Sequence, residues 1–123
     1  MAAGITTVVV NGVFAPLDSG PVTQEQQVKA ILHETVPDID IVCSREIGRL
    51  GFLERENASI LNAAVLELGR QTISGFQMAV DSLGINCPLY LTQNDGTVLD
   101  ALAATETPIK TFSSGATVGL PSR

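Results

Sequence analysis

Tryptophan is missing from the 123 residues, tyrosine occurs once and phenylalanine four times. A core must therefore be assembled from Ile, Leu, Val and Ala. Histidine occurs once, at position 33. A Ser-His-Asp triad would have to use His33, which sits in a helical stretch with no partner in view. Cys43 and Cys87 are the two cysteines, and neither has a second Cys or His at ligand spacing. They read as reduced thiols of a cytosolic protein, which argues against a disulfide framework and a zinc site. Basic residues are few: 7 Lys and Arg stand against 13 Asp and Glu, for a net charge of −6. No basic run exists to displace counterions, so nucleic acid and anionic membrane surfaces are excluded as partners. No apolar run approaches the roughly 18 residues of a membrane span. The N-terminus has no basic stretch followed by an apolar one, so no secretory signal is read and a cytoplasmic location is expected.

What is present is ordinary globular composition, 45% apolar with 16% charged, which is enough to bury a core in one domain. Thr6 to Phe14, with consecutive Val8, Val9 and Val10, reads as a strand. Pro16, Gly20 and Pro21 punctuate a loop. Thr23 and Gln26 fit a capping box opening a helix whose apolar positions are Val28, Ile31, Leu32 and Val36, stopped by Pro37. Ile39 to Cys43 reads as a second strand, followed by a loop from Ser44 to Arg49. A long helix is expected from Leu53 to Leu83, with Ile60, Leu61, Ala64, Val65, Leu68, Phe76, Val80 and Leu83 as its apolar positions. Gly69 and Ser74-Gly75 are places where it would bend or split, and Gly84 ends it. Pro88 to Thr92 reads as a third strand, Leu99 to Ala104 as a short helix, and Ile109 to Phe112 as a fourth strand. Alternation of this kind predicts an α/β fold, a mostly parallel sheet with covering helices, as a single domain over 1–123.

In parallel α/β sheets, ligands gather where strands end. Three polar loops are expected there. They are Ser44 to Arg49, Gln93 to Thr97, and Ser113-Ser114-Gly115. Asn94-Asp95-Gly96-Thr97 is also a strong turn sequence in its own right. Ser114 and Gly115 offer backbone amides to an anion, without the Lys of a Walker motif. Glu54, Arg55 and Glu56 open the long helix, as acidic capping with solvated charge or as a functional group with Arg45, Glu46 and Arg49. Arg55 could pair locally with Glu54, Glu56 or Ser59. Asn62 is a helix-to-loop tether or a solvent-facing residue. None of these sets closes into a catalytic constellation.

Ser44-Arg45-Glu46-Ile47-Gly48, then Leu53-Glu54-Arg55-Glu56-Asn57-Ala58 with Leu61-Asn62-Ala63-Ala64, resemble the hydantoinase/oxoprolinase family. So do Pro88 to Thr97 with its Gln-Asn-Asp-Gly-Thr element, Pro108 to Gly115, and the opening Val9 to Pro16. The resemblance covers roughly residues 5 to 115. It implies an actin-like, ribonuclease-H-like ATPase fold and an ATP-dependent opening of hydantoin or 5-oxoproline rings, with ATP and Mg as cofactors. In that chemistry ATP activates the amide oxygen by phosphorylation and water displaces the resulting group. Two Gly-Gly-Thr phosphate loops serve the family, one upstream and one downstream of the matching region, and this chain contains neither. Arg45 stands where many relatives carry His, and Ala116 where a Pro is usual.

The resemblance therefore implies a fragment of a larger cyclic amidohydrolase, inactive alone and without cofactor of its own. Its ligand-facing residues would be Arg45, Glu46, Arg49, Asn94, Thr97, Ser114 and Gly115. Arg45 or Arg49 would neutralise phosphate or imide charge, and Asp95 would hold a metal-bound water or position a nucleophile. Partners would be the small cyclic amide and the parent's remaining domains or a second copy. The alternative is a non-catalytic assembly module using the exposed face of the long helix, which predicts oligomers.

Overall fold

A computed structural model of the chain describes residues 4–48 and 51–112. The chain divides into two compact units, Met1–Ala63 and Ala64–Arg123.

The first unit is built on a parallel strand pair. β1 (Thr7–Val10) lies beside β2 (Asp40–Cys43), with Thr7 opposite Asp40 and Val10 opposite Cys43. α1 (Gln24–Thr35) makes the crossover between them. Its start is the expected capping box: Thr23 Oγ1 accepts from Gln26 N, and Gln26 Oε1 accepts from Thr23 N. It ends at Thr35, two residues before Pro37. Ile41, Val42 and Cys43 are consecutive and all buried, as expected of a strand covered on both faces.

β1 stops well short of Phe14. Gly12 lies outside the ladder, its N–H donating to Glu25 and its carbonyl accepting from Arg55, and a 3-10 turn follows at Ala15–Leu17. The expected loop after β2 is instead a single helical turn, α2 (Ser44–Ile47), with Gly48 N returning to Ser44 O. α1 also departs from expectation. Val28 and Ile31 are exposed, and the helix buries Glu25.

α3 (Phe52–Ser82) is one unbroken helix through Gly69 and Gly75. Gly84 terminates it at φ +69°, in the left-handed region that costs glycine nothing. Its inward stripe is Arg55, Ser59, Asn62, Leu66 and Ile73, spaced at helical intervals. Ile60, Leu61, Leu68, Phe76 and Leu83, expected on the apolar face, are all exposed.

In the second unit, β3 (Tyr90–Thr92) pairs antiparallel with β4 (Val98–Asp100). The expectation of a mostly parallel sheet thus holds for β1 and β2 alone. A short Asn-Asp-Gly connection permits a hairpin, whereas a parallel partner would need a crossover. Gly96 takes φ +84° in that turn. The helix expected from Leu99 starts later, as α4 (Ala101–Ala104), because Val98–Asp100 pairs with β3; Asp100 caps α4 by accepting from Leu102 N at 2.9 Å. The strand expected at Ile109 to Phe112 is a 3-10 helix, Pro108–Thr111, whose first residue has no N–H to contribute to a ladder. Ile73, Ala101 and Ala104 form the buried core here, with Leu89, Leu91 and Leu99 packed against it.

Candidate functional site

The two parallel strands end side by side, and the residues that follow them are polar. β1 gives way to Asn11-Gly12 and β2 to Ser44-Arg45. Glu25 reaches the same point from the first turn of α1, and Arg55 from the first turns of α3. Both charged residues are only 2% exposed.

Glu25 is held by three donors. Its Oε1 accepts from Gly12 N at 2.7 Å and from Ser44 Oγ at 2.6 Å, and its Oε2 accepts from Arg45 N at 3.0 Å. Arg55 donates from Nε to Ser44 Oγ at 3.2 Å, and from Nη2 to Gly12 O at 2.7 Å and Asn11 Oδ1 at 3.4 Å. The Gly12 residue and the Ser44 hydroxyl therefore each touch both charges. They bridge a buried carboxylate to a buried guanidinium, which is how such charges are tolerated away from water. Ser59 Oγ donates to Arg55 O at 2.6 Å. Space is tight around the bridge. A Cβ on Gly12 would lie 3.3 Å from Glu25 Oε1, and one on Gly48 would lie 3.0 Å from Arg55 Cγ.

Asn11 carries an unused group at this junction. A guanidinium only donates, so Asn11 must turn Oδ1 toward Arg55. That leaves Nδ2 buried with no partner among the described residues. A buried amide left unpaired in this way costs about 1–3 kcal/mol, and an acceptor oxygen placed there would recover it.

Cys43 is the last residue of β2 and precedes Ser44. Its Sγ lies 3.7 Å from Glu25 O, as donor. Burial, then the nearby Glu46 carboxylate, pushes the thiol up to about 11, so it stays protonated and is a poor nucleophile at neutral pH.

The structure places the sequence-predicted residues as follows. Arg45 donates through Nη1 to Ala15 O at 3.1 Å and to Asp18 O, which ties α2 to the turn after β1. Asp18 in turn accepts from Gln24 N and Gly20 N, and these backbone donors hold its carboxyl below the usual range. Glu46 pairs with Lys29 at 3.5 Å, a half-exposed contact. Asn94, Asp95 and Thr97 come together in the β3–β4 turn of the second unit. Asp95 Oδ1 accepts from the Thr97 hydroxyl at 2.6 Å and from Thr97 N at 2.9 Å, and these two bonds lower its pKa. Asn94 donates from its backbone to Lys110 O and from Nδ2 to Ile109 O, which anchors the turn to the 3-10 helix. Arg49, Ser114 and Gly115 lie outside the described residues.

Sequence reasoning gave Arg55 local partners on its own helix. It bonds instead to residues 11 to 44 positions away, Ser44, Gly12 and Asn11. Asn62 is fully buried, so the solvent-facing alternative falls. Glu25, Asn11 and Gly12 were not anticipated. An acid in a first turn ordinarily answers the helix dipole, and no local signal separates that from a buried bridge. Among the described residues, no group of three or more His, Cys, Asp or Glu converges to hold a metal ion.

Compared with known proteins, residues 55–120 match the model of the hydantoinase/oxoprolinase family. No curated protein and no solved structure matches the chain.

Proposed function

From the chain's membership of the hydantoinase/oxoprolinase family, we propose that it is a segment of an ATP-dependent cyclic amidohydrolase. In this reading it supplies part of the ligand-binding edge and is inactive alone. The supporting observation is the polar junction at the carboxyl ends of β1 and β2, where open α/β sheets receive ligands. A cyclic amide presents carbonyl oxygens, and Asn11 Nδ2 is a buried donor with no acceptor among the described residues. Arg45 lies on the rim, with Glu46 beside it. Asn94, Asp95 and Thr97, with Arg49, Ser114 and Gly115, are proposed to contribute in the parent protein. Among the described residues no group of three or more His, Cys, Asp or Glu converges to hold a metal ion, and no step through Mg or ATP is assigned to this chain.

The test is titration of the isotopically labelled chain with 5-oxoproline and with hydantoin, followed by NMR. Shifts confined to Asn11, Gly12 and Arg45 are expected, with no ring opening when ATP is added. ATP-dependent ring opening that is lost in Asp95→Ala would overturn the claim of inactivity. Absence of shifts at millimolar ligand would remove the ligand-edge role.

A second reading is an assembly module. α3 turns Arg55, Ser59 and Asn62 inward and leaves Ile60, Leu61, Leu68 and Phe76 in solvent, the reverse of a lone surface helix. It expects a dimer or larger species by light scattering, and a monomer at high concentration counts against it.

A further inference from the structure

We infer that the second unit binds a small, neutral, ring-bearing organic molecule in the cleft between α3 and β3. The cleft has a volume of about 660 Å³. Sites for small organic ligands run from about 300 to 1,000 Å³, whereas a void of this size is far larger than one water needs. Its walls are Leu68, Ile73 and Phe76 from α3, Tyr90 from β3, and Phe112.

Charge decides the class of occupant. Among the described residues that line it, none is acidic, basic or histidine, although the chain as a whole carries −6. Leu68, Phe76, Tyr90 and Phe112 stay more than half exposed, so an occupant is only partly desolvated. A charged one would still lose part of its hydration with no counter-charge from these walls, and a neutral one loses less. The aromatic faces of Phe76, Tyr90 and Phe112 suit a flat ring, which stacks offset or edge-on. Polar handles are few. The Thr72 and Thr111 hydroxyls already donate to Leu68 O and Pro108 O, both at 2.8 Å. Tyr90 and Thr92 are two residues apart on β3 and so face the same side. Their two hydroxyls orient a ligand that carries one or two hydrogen-bonding groups. This site lies within the second unit and does not depend on the cyclic-amide reading. Failure of the hydantoin titration leaves it standing.

The experiment is a fluorescence titration of the whole chain with the neutral probe N-phenyl-1-naphthylamine. Tyr90 is the single tyrosine and there is no tryptophan, so quenching of tyrosine emission reports on the cleft directly. One saturable site per chain is expected, with loss of tyrosine emission in step with probe fluorescence. Leu68→Arg replaces an apolar wall with a longer charged side chain and is expected to weaken binding at least about tenfold, or 1.4 kcal/mol. Thr92→Val should weaken it several-fold, and it keeps the reasoning testable if Leu68→Arg fails to fold by circular dichroism. An anionic sulfonate analogue of the probe should bind at least about tenfold more weakly. The inference is overturned if binding does not saturate, if both variants bind like the native chain, if the sulfonate binds as tightly, or if the signal appears only with dimer formation.

Discussion

Replacing Arg55 with Met removes the guanidinium from the strand-end junction while keeping most of the side-chain volume. Three donor contacts disappear, to Ser44 Oγ, Gly12 O and Asn11 Oδ1. Glu25 keeps its own three donors but loses the positive charge bridged to it. Removing one member of a buried charge pair costs about 3–5 kcal/mol, because the survivor stays desolvated. Against a total stability of about 5–15 kcal/mol, that is a large share. With a urea slope near 1.5 kcal/mol per molar, the midpoint should fall by about 2–3 M. Glu25→Gln keeps the shape and removes the opposite charge. The double variant should then be less damaging than the sum of the two, by about 0.5–3 kcal/mol, since the bridge can be broken only once. Urea unfolding followed by far-ultraviolet circular dichroism measures all three. If each single change costs under about 1 kcal/mol and the two simply add, the bridged pair is not what fixes the strand ends.

Cys43 gives an alkaline signature. Burial raises its thiol above the ordinary value, to about 11 in the fold, so the stability this group contributes is fully present below pH 9 and is lost as the pH rises toward 11. The loss should reach about 2–3 kcal/mol at 1.4 kcal/mol per tenfold, and Cys43→Ala should abolish that part of the slope in denaturation curves taken across this range. Two helical glycines should respond in opposite directions to the same change. A Cβ at Gly69 would sit 2.5 Å from Pro108 Cβ, so Gly69→Ala should destabilise by about 1–3 kcal/mol despite the better helix propensity. Nothing lies within 4 Å of a Cβ at Gly75, so Gly75→Ala should stabilise by about 0.5–1 kcal/mol in the same thermal-melt series.

Local chemistry and tertiary packing divided the outcome between them. The capping box at Thr23, the stop before Pro37, the length of α3 and its glycine terminus all follow from short-range rules, and each was legible in the sequence. So was the family, because its motif residues stand in order along the chain. The pairing partner of β3 was missed although Asn-Asp-Gly signals a hairpin, because Leu99 to Ala104 was read as helix and left no strand for the turn to return to. The candidate site was half visible. Ser44 and Arg45 were placed at a strand end by topology alone, but Glu25, Asn11 and Gly12 lie far from them in sequence and meet only when β1, β2 and α1 pack. Periodicity also misjudged which side of α3 turns inward. It counts apolar residues and so pointed to Ile60, Leu61 and Leu68, whereas the fold buries Arg55, Ser59 and Asn62. For Arg55 and Ser59 the hydrogen bonds that make burial affordable are visible, and the Arg55 partners come from other elements, so only the assembled structure decides it.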